Sequence, residues 1–507
     1  MNVTRFLEHW SIRENPFKAE EARHDAVFAR LHDGETAHPD FEKIIGDLTR
    51  PSASIVFGEK GSGKTAIRIQ IAERIARHNA LHPDARVLLV PYDDLNPFLD
   101  RFCAEVRDDA DKDGMELLKR LKSLRLADHL DGILHVAVPR VIDAILDPVA
   151  GDEPGWRVLR KASVATKRDA QLLQALYDRH EEYESRAALL RRRIAVPWNR
   201  YRLVWKGLAV WGWLPAAAVG VASFFVTREW IGPLFWLWAL GLLLAAWAVL
   251  LFNWFVLERI VVLKRKARRV GKKMRIVGRS TAELCATLEF LPPEDRTSAI
   301  LPADDGEERR FALLARLRRV IQPLGYAGII IIVDRVDEPS VISGDADSMR
   351  AVVWPLLNNK FLQQEGVGVK LLLPVELRHE LFRESSAFFQ GARLDKQNLI
   401  ERLTWSGAAL YDLCNGRLRA CQTPDAAPVT IADLFDDEVS RQDIVDALEQ
   451  MHQPRDAFKL LYQCMQEHCS NITEDQQKWR IPRPVLDSVR KQQAERVMML
   501  QRGYRPA

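Results

Sequence analysis

The sequence predicts an α/β fold built on a parallel sheet, interrupted by a two-helix hairpin that is long enough to cross a membrane. Residues 54–57 form a short apolar strand that runs into a glycine-rich loop and then a helical pattern. Residues 329–333 are all β-branched, which is typical of a strand buried on both faces. The segments 208–226 and 230–257 carry no charged side chain. The first two patterns indicate the α/β class, and the third indicates the hairpin.

The composition argues against a polycation and against a disulfide-rich secreted chain. The 507 residues include 73 basic and 69 acidic side chains, giving a net charge of +4. This balance does not indicate nucleic acid binding, although nucleic acid stays open as a partner. The six cysteines have neither CxxC pairs nor zinc-site spacing, which is typical of free thiols in a reducing cytoplasm. Residues 1–17 lack the apolar core of a signal peptide, so an internal segment is expected to direct insertion.

The two uncharged segments are long enough to span a bilayer. At about 1.5 Å per residue, 208–226 covers about 28 Å, close to one hydrocarbon thickness, and 230–257 exceeds it. A buried helical hairpin of a soluble protein is the alternative. Proline and glycine in the first segment are compatible with a membrane helix, because neighbouring groups can satisfy the freed backbone.

Basic residues crowd both flanks of this hairpin, whereas its tip holds one arginine. The positive-inside rule therefore predicts a multi-pass protein of the inner (cytoplasmic) membrane with its large soluble parts in the cytoplasm, and membrane lipid as a partner. The 264–275 cluster either contacts anionic headgroups or is only a topology signal. The flanking basic residues are Arg186, Arg191, Arg192, Arg193, Arg200, Arg202, Lys206, Arg259, Lys264, Arg265, Lys266, Arg268, Arg269, Lys272, Lys273 and Arg275.

The loop after the first strand has the pattern GxxxxGK[ST] in a strand–loop–helix context, which indicates a phosphate-binding loop. Its backbone N–H groups and the following helix N-terminus are suited to holding phosphate oxygens. Lys64 is expected to reach the β- and γ-phosphates of ATP, and Thr65 to place its hydroxyl on Mg²⁺. The predicted nucleotide-binding residues here are Gly58, Gly61, Ser62, Gly63, Lys64 and Thr65.

An acidic element follows the strand at 329–333. Asp334 comes directly after the last apolar residue, where a carboxylate would reach Mg²⁺ or its waters. Asp337 or Glu338 would polarise the attacking water, and the spacing leaves open which of them does so. Alternatively, these acids only cap a turn before Pro339. Together with Lys64, Asp337 and Glu338 are the predicted catalytic residues.

These motifs resemble those of two classes of P-loop NTPase. Asp334, Asp337 and Glu338 together resemble the Walker B element of the STAND class, in particular its NACHT members, which usually have glycine where this chain has Arg335. A transmembrane hairpin between Walker A and Walker B resembles the KAP family, whose Walker B more often has two adjacent acids. The segment 10–17, ending in Asn-Pro-Phe, is similar to a short segment before the P-loop in several bacterial AAA-type ATPases, where it packs beside the adenine.

Three arginines extend the resemblance. The segment 370–378 is expected to be the next strand, which places Arg378 where related ATPases carry a sensor of the γ-phosphate. Arg455 lies in a Pro-Arg-Asp sequence similar to the start of a lid helix whose arginine contacts nucleotide. Arg402 is a candidate for a finger that acts on a neighbouring subunit. For each of them the alternative is an arginine on a helix surface.

The resemblance implies an AAA- or STAND-like ATPase with a helical lid, in which nucleotide state switches conformation and a homo-oligomer forms. Bacterial signalling or phage defence is the role it implies, and the protein partner is unknown. The alternatives are a mechanical ATPase acting on DNA or protein at the membrane and a non-hydrolysing ATP sensor. The predicted segments are 1–150 and 301–424 for the core, 151–207 and 258–300 for a stalk, 208–257 for the hairpin, and 425–507 for the lid or a winged-helix-like module.

Overall fold

The computed structural model divides into two compact units, one made of Met1–Asp94 and Ala327–Ala507 and the other of Leu95–Tyr326. The second unit therefore begins inside the segment 1–150 and ends inside 301–424. The structure describes residues 1–18, 22–31, 37–110, 117–146, 155–179, 183–196, 200–225, 233–252, 261–424, 426–473, 476 and 478–501.

Five parallel strands form one sheet, in the order β2-β3-β4-β1-β5. The inner strands are apolar and buried, which explains their continuous apolar sequences. In register, Ser54 pairs with Lys370 on one side and Asn398 on the other. This α/β arrangement confirms the predicted class and fits a Rossmann-like or P-loop fold. The strands are β1 Ser54–Gly58, β2 Arg86–Tyr92, β3 Tyr326–Val333, β4 Val367–Pro374 and β5 Asn398–Ile400.

Helices surround the sheet and make up the second unit. Before that unit lie α1 Val3–His9, α2 Phe41–Ile45 and α3 Lys64–Leu81. The second unit contains α4 Asn96–Ala110, α5 Leu117–Leu121, α6 Leu126–Leu146, α7 Gly155–Lys161, α8 Val164–Tyr177, α9 Tyr183–Arg193, α10 Arg200–Trp211, α11 Leu214–Phe225, α12 Pro233–Phe252, α13 Leu263–Lys273, α14 Thr281–Glu289 and α15 Glu308–Ile321. After it come α16 Ala346–Val353, α17 Asn359–Leu362, α18 Val375–Phe382, α19 Ser386–Ala392, α20 Gly407–Cys421, α21 Arg441–Glu449, α22 Pro454–Ser470 and α23 Arg483–Gln501.

Two apolar clusters of described residues lie in the first unit. One joins the sheet to α2 and α3 through Val56, Ile67 and Ile332. The other joins α1 to the helices α20–α23. The amino group of Met1 donates to the carbonyl of Ile472 at 2.7 Å, so the start of the chain is held against the end of α22.

The second unit buries a polar cluster between three helices. The Tyr177 hydroxyl donates to Asp131 at 2.7 Å, and the Arg310 guanidinium donates to the other oxygen of Asp131 at 3.2 Å. Burial raises the pKa of Asp131 to about 6, although Arg310 opposes the shift. Because each member has a partner, this cluster has the features of a structural contact between α6, α8 and α15.

The predicted membrane hairpin is described only in part. Within the described residues, one helical stretch, Leu203–Ala222, is long and apolar enough to cross a membrane. A shorter apolar stretch, Leu237–Phe252, lies in α12, and the Trp247 indole donates to the carbonyl of Leu208 at 3.1 Å. The predicted tip, 227–230, lies outside the described residues. One such helix is weak evidence, so the structure does not show a transmembrane hairpin.

Lys370 is a buried lysine in the middle of the sheet. Its side chain is 0% exposed, and its ammonium donates to the carbonyl of Ser52 at 2.9 Å and to the Ser54 hydroxyl at 3.2 Å. Burial lowers the pKa of Lys370 to about 7. The unfolded chain therefore binds this proton more tightly than the folded chain between about pH 7 and pH 10.

We expect Lys370→Met to stabilise the first unit in a pH-dependent way. Removing the buried ammonium should raise the free energy of unfolding by about 1–3 kcal/mol at or below pH 7, where both states of the parent are largely protonated. This increase in the free energy of unfolding should shrink toward pH 10. At that pH the parent buries a neutral amine, and the variant lacks the hydrogen bonds that the Lys370 side chain makes. Thermal unfolding of parent and variant at several pH values measures this difference. A stabilisation that is independent of pH would contradict the claim that the buried Lys370 ammonium lowers the stability of the parent.

Candidate functional site

The loop 58–65 joins β1 to α3 and has the backbone geometry of a phosphate cradle. β1 ends at Gly58, and α3 begins at Lys64. Gly61 and Gly63 have φ values of 103° and 98°, a left-handed region that favours glycine. A side chain at Gly61 would also press on Arg455, whose Cβ lies 3.0 Å from the Cβ position. The two glycines thus allow the tight curl and the close approach of α22.

Lys64 lies across the loop at the start of α3. Its ammonium donates to the carbonyls of Gly58 at 2.6 Å and Glu59 at 3.0 Å. Burial lowers the pKa of Lys64, while the carboxylates of Asp334 and Asp337 oppose the shift. Thr65 and Lys64 line the same cavity. The ammonium of Lys64 therefore donates to two backbone carbonyls of the loop, and phosphate oxygens could take their place as its acceptors.

Asp334 stands at the carboxyl end of β3 and faces the cavity. It is 1% exposed, and its Oδ2 has no hydrogen-bond partner in the described part of the chain. The nearest cation, Arg68 Nε, is 3.6 Å away, which is too long for a hydrogen bond. Burial raises the pKa of Asp334 to about 6, although the backbone N–H of Arg335 opposes this. A buried carboxylate oxygen without a partner is a position that a cation would complete.

Asp337 and Glu338 differ in their surroundings. Glu338 is 51% exposed and is contacted by Arg335 at 3.1 Å and by Arg23 at 3.8 Å. Arg335, with a left-handed φ of 58°, also contacts Asp93 at 3.3 Å. Asp337 lines the cavity half-buried, and its carboxylate forms no hydrogen bond or ion pair with the described residues. Of the two acids, Asp337 is the one free to accept a proton.

A cavity of about 460 Å³ connects these groups, and all its lining residues belong to the first unit. This volume is within the range of small-molecule sites. The loop and the acids form one part of its wall, and helices α20 and α22 with residues 22–28 form another. The lining residues are Ala22, Arg23, Asp25, Phe28, Glu59, Lys60, Gly61, Gly63, Lys64, Thr65, Ala66, Ile67, Gln70, Asp334, Arg335, Asp337, Glu338, Gly344, Met349, Pro374, Glu376, Trp405, Leu413, Arg417, Pro454, Arg455 and Phe458.

The start of α22 covers the loop. Arg455 lines the cavity, and its Nε is buried without a hydrogen-bond partner in the described part of the chain. The Gln453 amide donates to Glu59, and the Trp405 indole donates to the carbonyl of Ser62 at 2.9 Å. The structure therefore brings Arg455 to the predicted nucleotide loop.

The other two predicted arginines, Arg378 and Arg402, are not among the residues that line the cavity. The expected strand at 370–378 ends at Pro374, and α18 follows, so Arg378 lies on a helix. Its guanidinium contacts Glu401 at 2.7 Å and covers the ring of Phe382 at 4.9 Å, and it is not among the lining residues. Arg402 contacts the loop residue Glu59. In this conformation Arg378 does not face the cavity.

Sequence reasoning missed several residues of the site. Glu376, Arg417 and Phe458 line the cavity, and Arg68, which is not among the lining residues, forms an ion pair with Asp334. Arg68 lies four positions after Lys64 on α3, and Glu376 opens α18 just after β4, so both positions follow recognisable elements. Arg417 and Phe458 lie in ordinary helical sequence, and no local pattern marks them. Their place at the cavity depends on how the carboxyl-terminal helices pack.

The described residues contain no group of three or more His, Cys, Asp or Glu side chains arranged to hold a metal. A metal at this site would therefore depend on one carboxylate, one hydroxyl and the oxygens of a ligand. Mg²⁺ is commonly bound in this way, through one or two carboxylates with substrate phosphates and water. The donor set of Asp334 and Thr65 fits Mg²⁺ bound together with a nucleotide.

Comparisons with known proteins add no assignment. Neither a protein-family model, nor a curated protein, nor a solved structure matches this chain. The resemblance to KAP and STAND proteins thus depends on the motifs alone.

Proposed function

We propose that this chain binds and hydrolyses ATP at the loop 58–65. The observation that carries the proposal is one cavity that joins the loop, Lys64 and a buried carboxylate oxygen of Asp334 that accepts no hydrogen bond from the described residues. Backbone N–H groups at a helix N-terminus together with a lysine are suited to phosphates. The acids Asp337 and Glu338 beside the loop can polarise a water molecule. Hydrolysis requires such a group, whereas nucleotide binding does not. Release of phosphate from ATP by the purified full-length chain tests the proposal.

Thr65 and Asp334 are the residues that would hold Mg²⁺ with the nucleotide. When bound, the ion neutralises charge on the phosphate oxygens. Asp334 is suited to this role because its buried Oδ2 accepts no hydrogen bond from the described residues and has only the ion pair with Arg68 at 3.6 Å beside it. Lys64 would exchange the carbonyls of Gly58 and Glu59 for the β- and γ-phosphate oxygens.

Asp337 is the acid that we assign to the attacking water. Its carboxylate is free and lines the cavity, whereas Glu338 is held by two arginines. Glu338 would then position Arg335, and catalysis by Glu338 would require these ion pairs to open. The same ion pairs support a second candidate function, a sensor that binds ATP and hydrolyses it very slowly.

We further propose an AAA- or STAND-like P-loop NTPase in which α20–α23 form the lid. The support is the cover of the loop by the start of α22, with Arg455 at the cavity. A lid that contacts bound nucleotide changes position when the γ-phosphate is lost, which is how a nucleotide switch works. We propose a homo-oligomeric switch of this kind, with Arg378 and Arg402 as candidates for contacts made in another conformation or by another subunit.

The membrane anchor is part of the proposal. Its support is the uncharged segments 208–226 and 230–257, their basic flanks, and the largely exposed apolar side chains of α11 and α12. An exposed apolar helix in water is unfavourable, whereas lipid accommodates it. The anchor would place the nucleotide site in the cytoplasm.

Topology reporters are expected to place the two flanks of the hairpin on one side of the membrane and its tip on the other. Fusions before Leu208 and after Arg275 should report the cytoplasm, and a tag inserted at Arg228 should be accessible from outside, because the tip lacks the basic cluster of the flanks. Protease and alkylation access in intact cells measures this. Recovery of the full-length chain in a detergent-free soluble extract would contradict the anchor.

A further inference from the structure

Arg417 borders the cavity, and one of its nitrogens has no hydrogen-bond partner among the described residues. The side chain is 2% exposed; its Nη1 contacts Asp25 at 2.6 Å, and its Nε donates to the carbonyl of Pro16 at 2.7 Å. Its Nη2 is buried and has no hydrogen-bond partner in the part of the chain that the structure describes. Buried charged donors are rarely left unpaired, because the loss of water is not offset. The free Nη2 therefore needs an acceptor.

Apolar side chains lie beside the guanidinium of Arg417. Its guanidinium lies over the ring of Phe458, 4.6 Å from the ring centre. Phe28 and Leu413 line the same cavity. Phe458 is one helical turn after Arg455, the residue that touches the phosphate-binding loop at Gly61. One wall of the cavity thus runs from the loop to Arg417.

We propose that Arg417 is the residue that binds the base of the nucleotide, donating from Nη2 to an acceptor atom on the edge of the base. This inference rests on the proposed function, because a ligand with its phosphates on the loop places its remaining part against this wall. A nucleobase has apolar faces for Phe28, Leu413 and Phe458 and acceptor atoms on its edge. Asp25 and the Pro16 carbonyl hold the other guanidinium nitrogens, so Nη2 alone is left for the ligand.

The test compares two ligands that share the phosphates and differ in the base. Binding of ATP and of inorganic tripolyphosphate, both with Mg²⁺, is measured by calorimetry for the parent and for Arg417→Lys. The lysine keeps a cation beside Asp25 and removes the spare donor. We expect ATP to bind roughly tenfold more weakly or worse, as for a lost hydrogen bond to a charged group, and tripolyphosphate to bind as in the parent.

Three further variants separate the outcomes. Phe458→Leu should also weaken ATP selectively, and it replaces Arg417→Lys if that variant does not fold. Arg310→Lys, an equally buried arginine outside the cavity at 1% exposure, should leave both affinities at the parent values. Lys64→Ala should weaken both ligands, and parent-like binding in this variant would refute the proposed function itself.

Two results would overturn the role of Arg417 while the proposed function stands. If Arg417→Lys weakens ATP and tripolyphosphate to the same extent, the arginine only supports the fold of the cavity. If it changes neither affinity, no base acceptor uses Nη2. Selective loss of ATP binding in both Arg417→Lys and Phe458→Leu supports base recognition at this wall.

Discussion

Lys64→Ala is expected to abolish ATP turnover, with a loss of about 100-fold or more in kcat/KM and weaker ATP binding. The variant removes the cation that now donates to the carbonyls of Gly58 and Glu59 and that would turn to the phosphates. Among the described residues no other lysine is placed to replace it, because the remaining lining lysine, Lys60, is exposed. Steady-state phosphate release measures the effect.

Lys60→Ala is the matched control. It removes a lysine from the same loop, and we expect turnover to stay within a few-fold of the parent. The circular dichroism of both variants should match that of the parent, because the hydrogen bonds of Lys64 go to carbonyls of its own loop. Parent-like turnover in Lys64→Ala would contradict the assignment of the loop.

Asp337→Asn is expected to lower kcat by about 100-fold or more while ATP still binds, since the amide cannot accept the proton of the attacking water. Its carboxylate lines the cavity and forms no hydrogen bond or ion pair with the described residues. Single-turnover hydrolysis together with an ATP binding measurement separates the chemical step from affinity.

Glu338→Gln is the companion variant for this prediction. Because Arg335 and Arg23 hold Glu338, we expect only a modest change in kcat, of about tenfold or less. The reverse order, in which Glu338→Gln loses turnover and Asp337→Asn keeps it, would show that the ion pairs open during catalysis. Parent-like rates in both variants would place the water-activating acid elsewhere.

The sequence predicted the elements that depend on local patterns. The apolar run before Gly58 and the β-branched run before Asp334 each form a strand, as predicted, because such runs are stable mainly when buried on both faces of a sheet. The predicted strand 370–378 begins and ends too late in the chain, since β4 spans Val367–Pro374. Pro374 ends it and opens α18, so Arg378 turned away from the cavity.

The features that the sequence could not predict depend on contacts between residues that are far apart in the chain. The order β2-β3-β4-β1-β5 is set by how strands pair, and nothing local specifies the neighbours of β1. Arg417 contacts Asp25, a residue from near the other end of the chain. The assignment of Asp337 rather than Glu338 to the attacking water depends on the ion pairs that Glu338 forms with Arg335 and Arg23. Spacing along the chain carries no information about such contacts.

Calorimetric titration of the purified full-length chain with ATP, with and without Mg²⁺, tests the central claim most directly. The proposed site predicts saturable binding of one ATP per chain that is strengthened by Mg²⁺, because Asp334 and Thr65 would hold the ion only together with phosphate. Absence of ATP binding by the folded parent protein in the presence of Mg²⁺ would contradict the account.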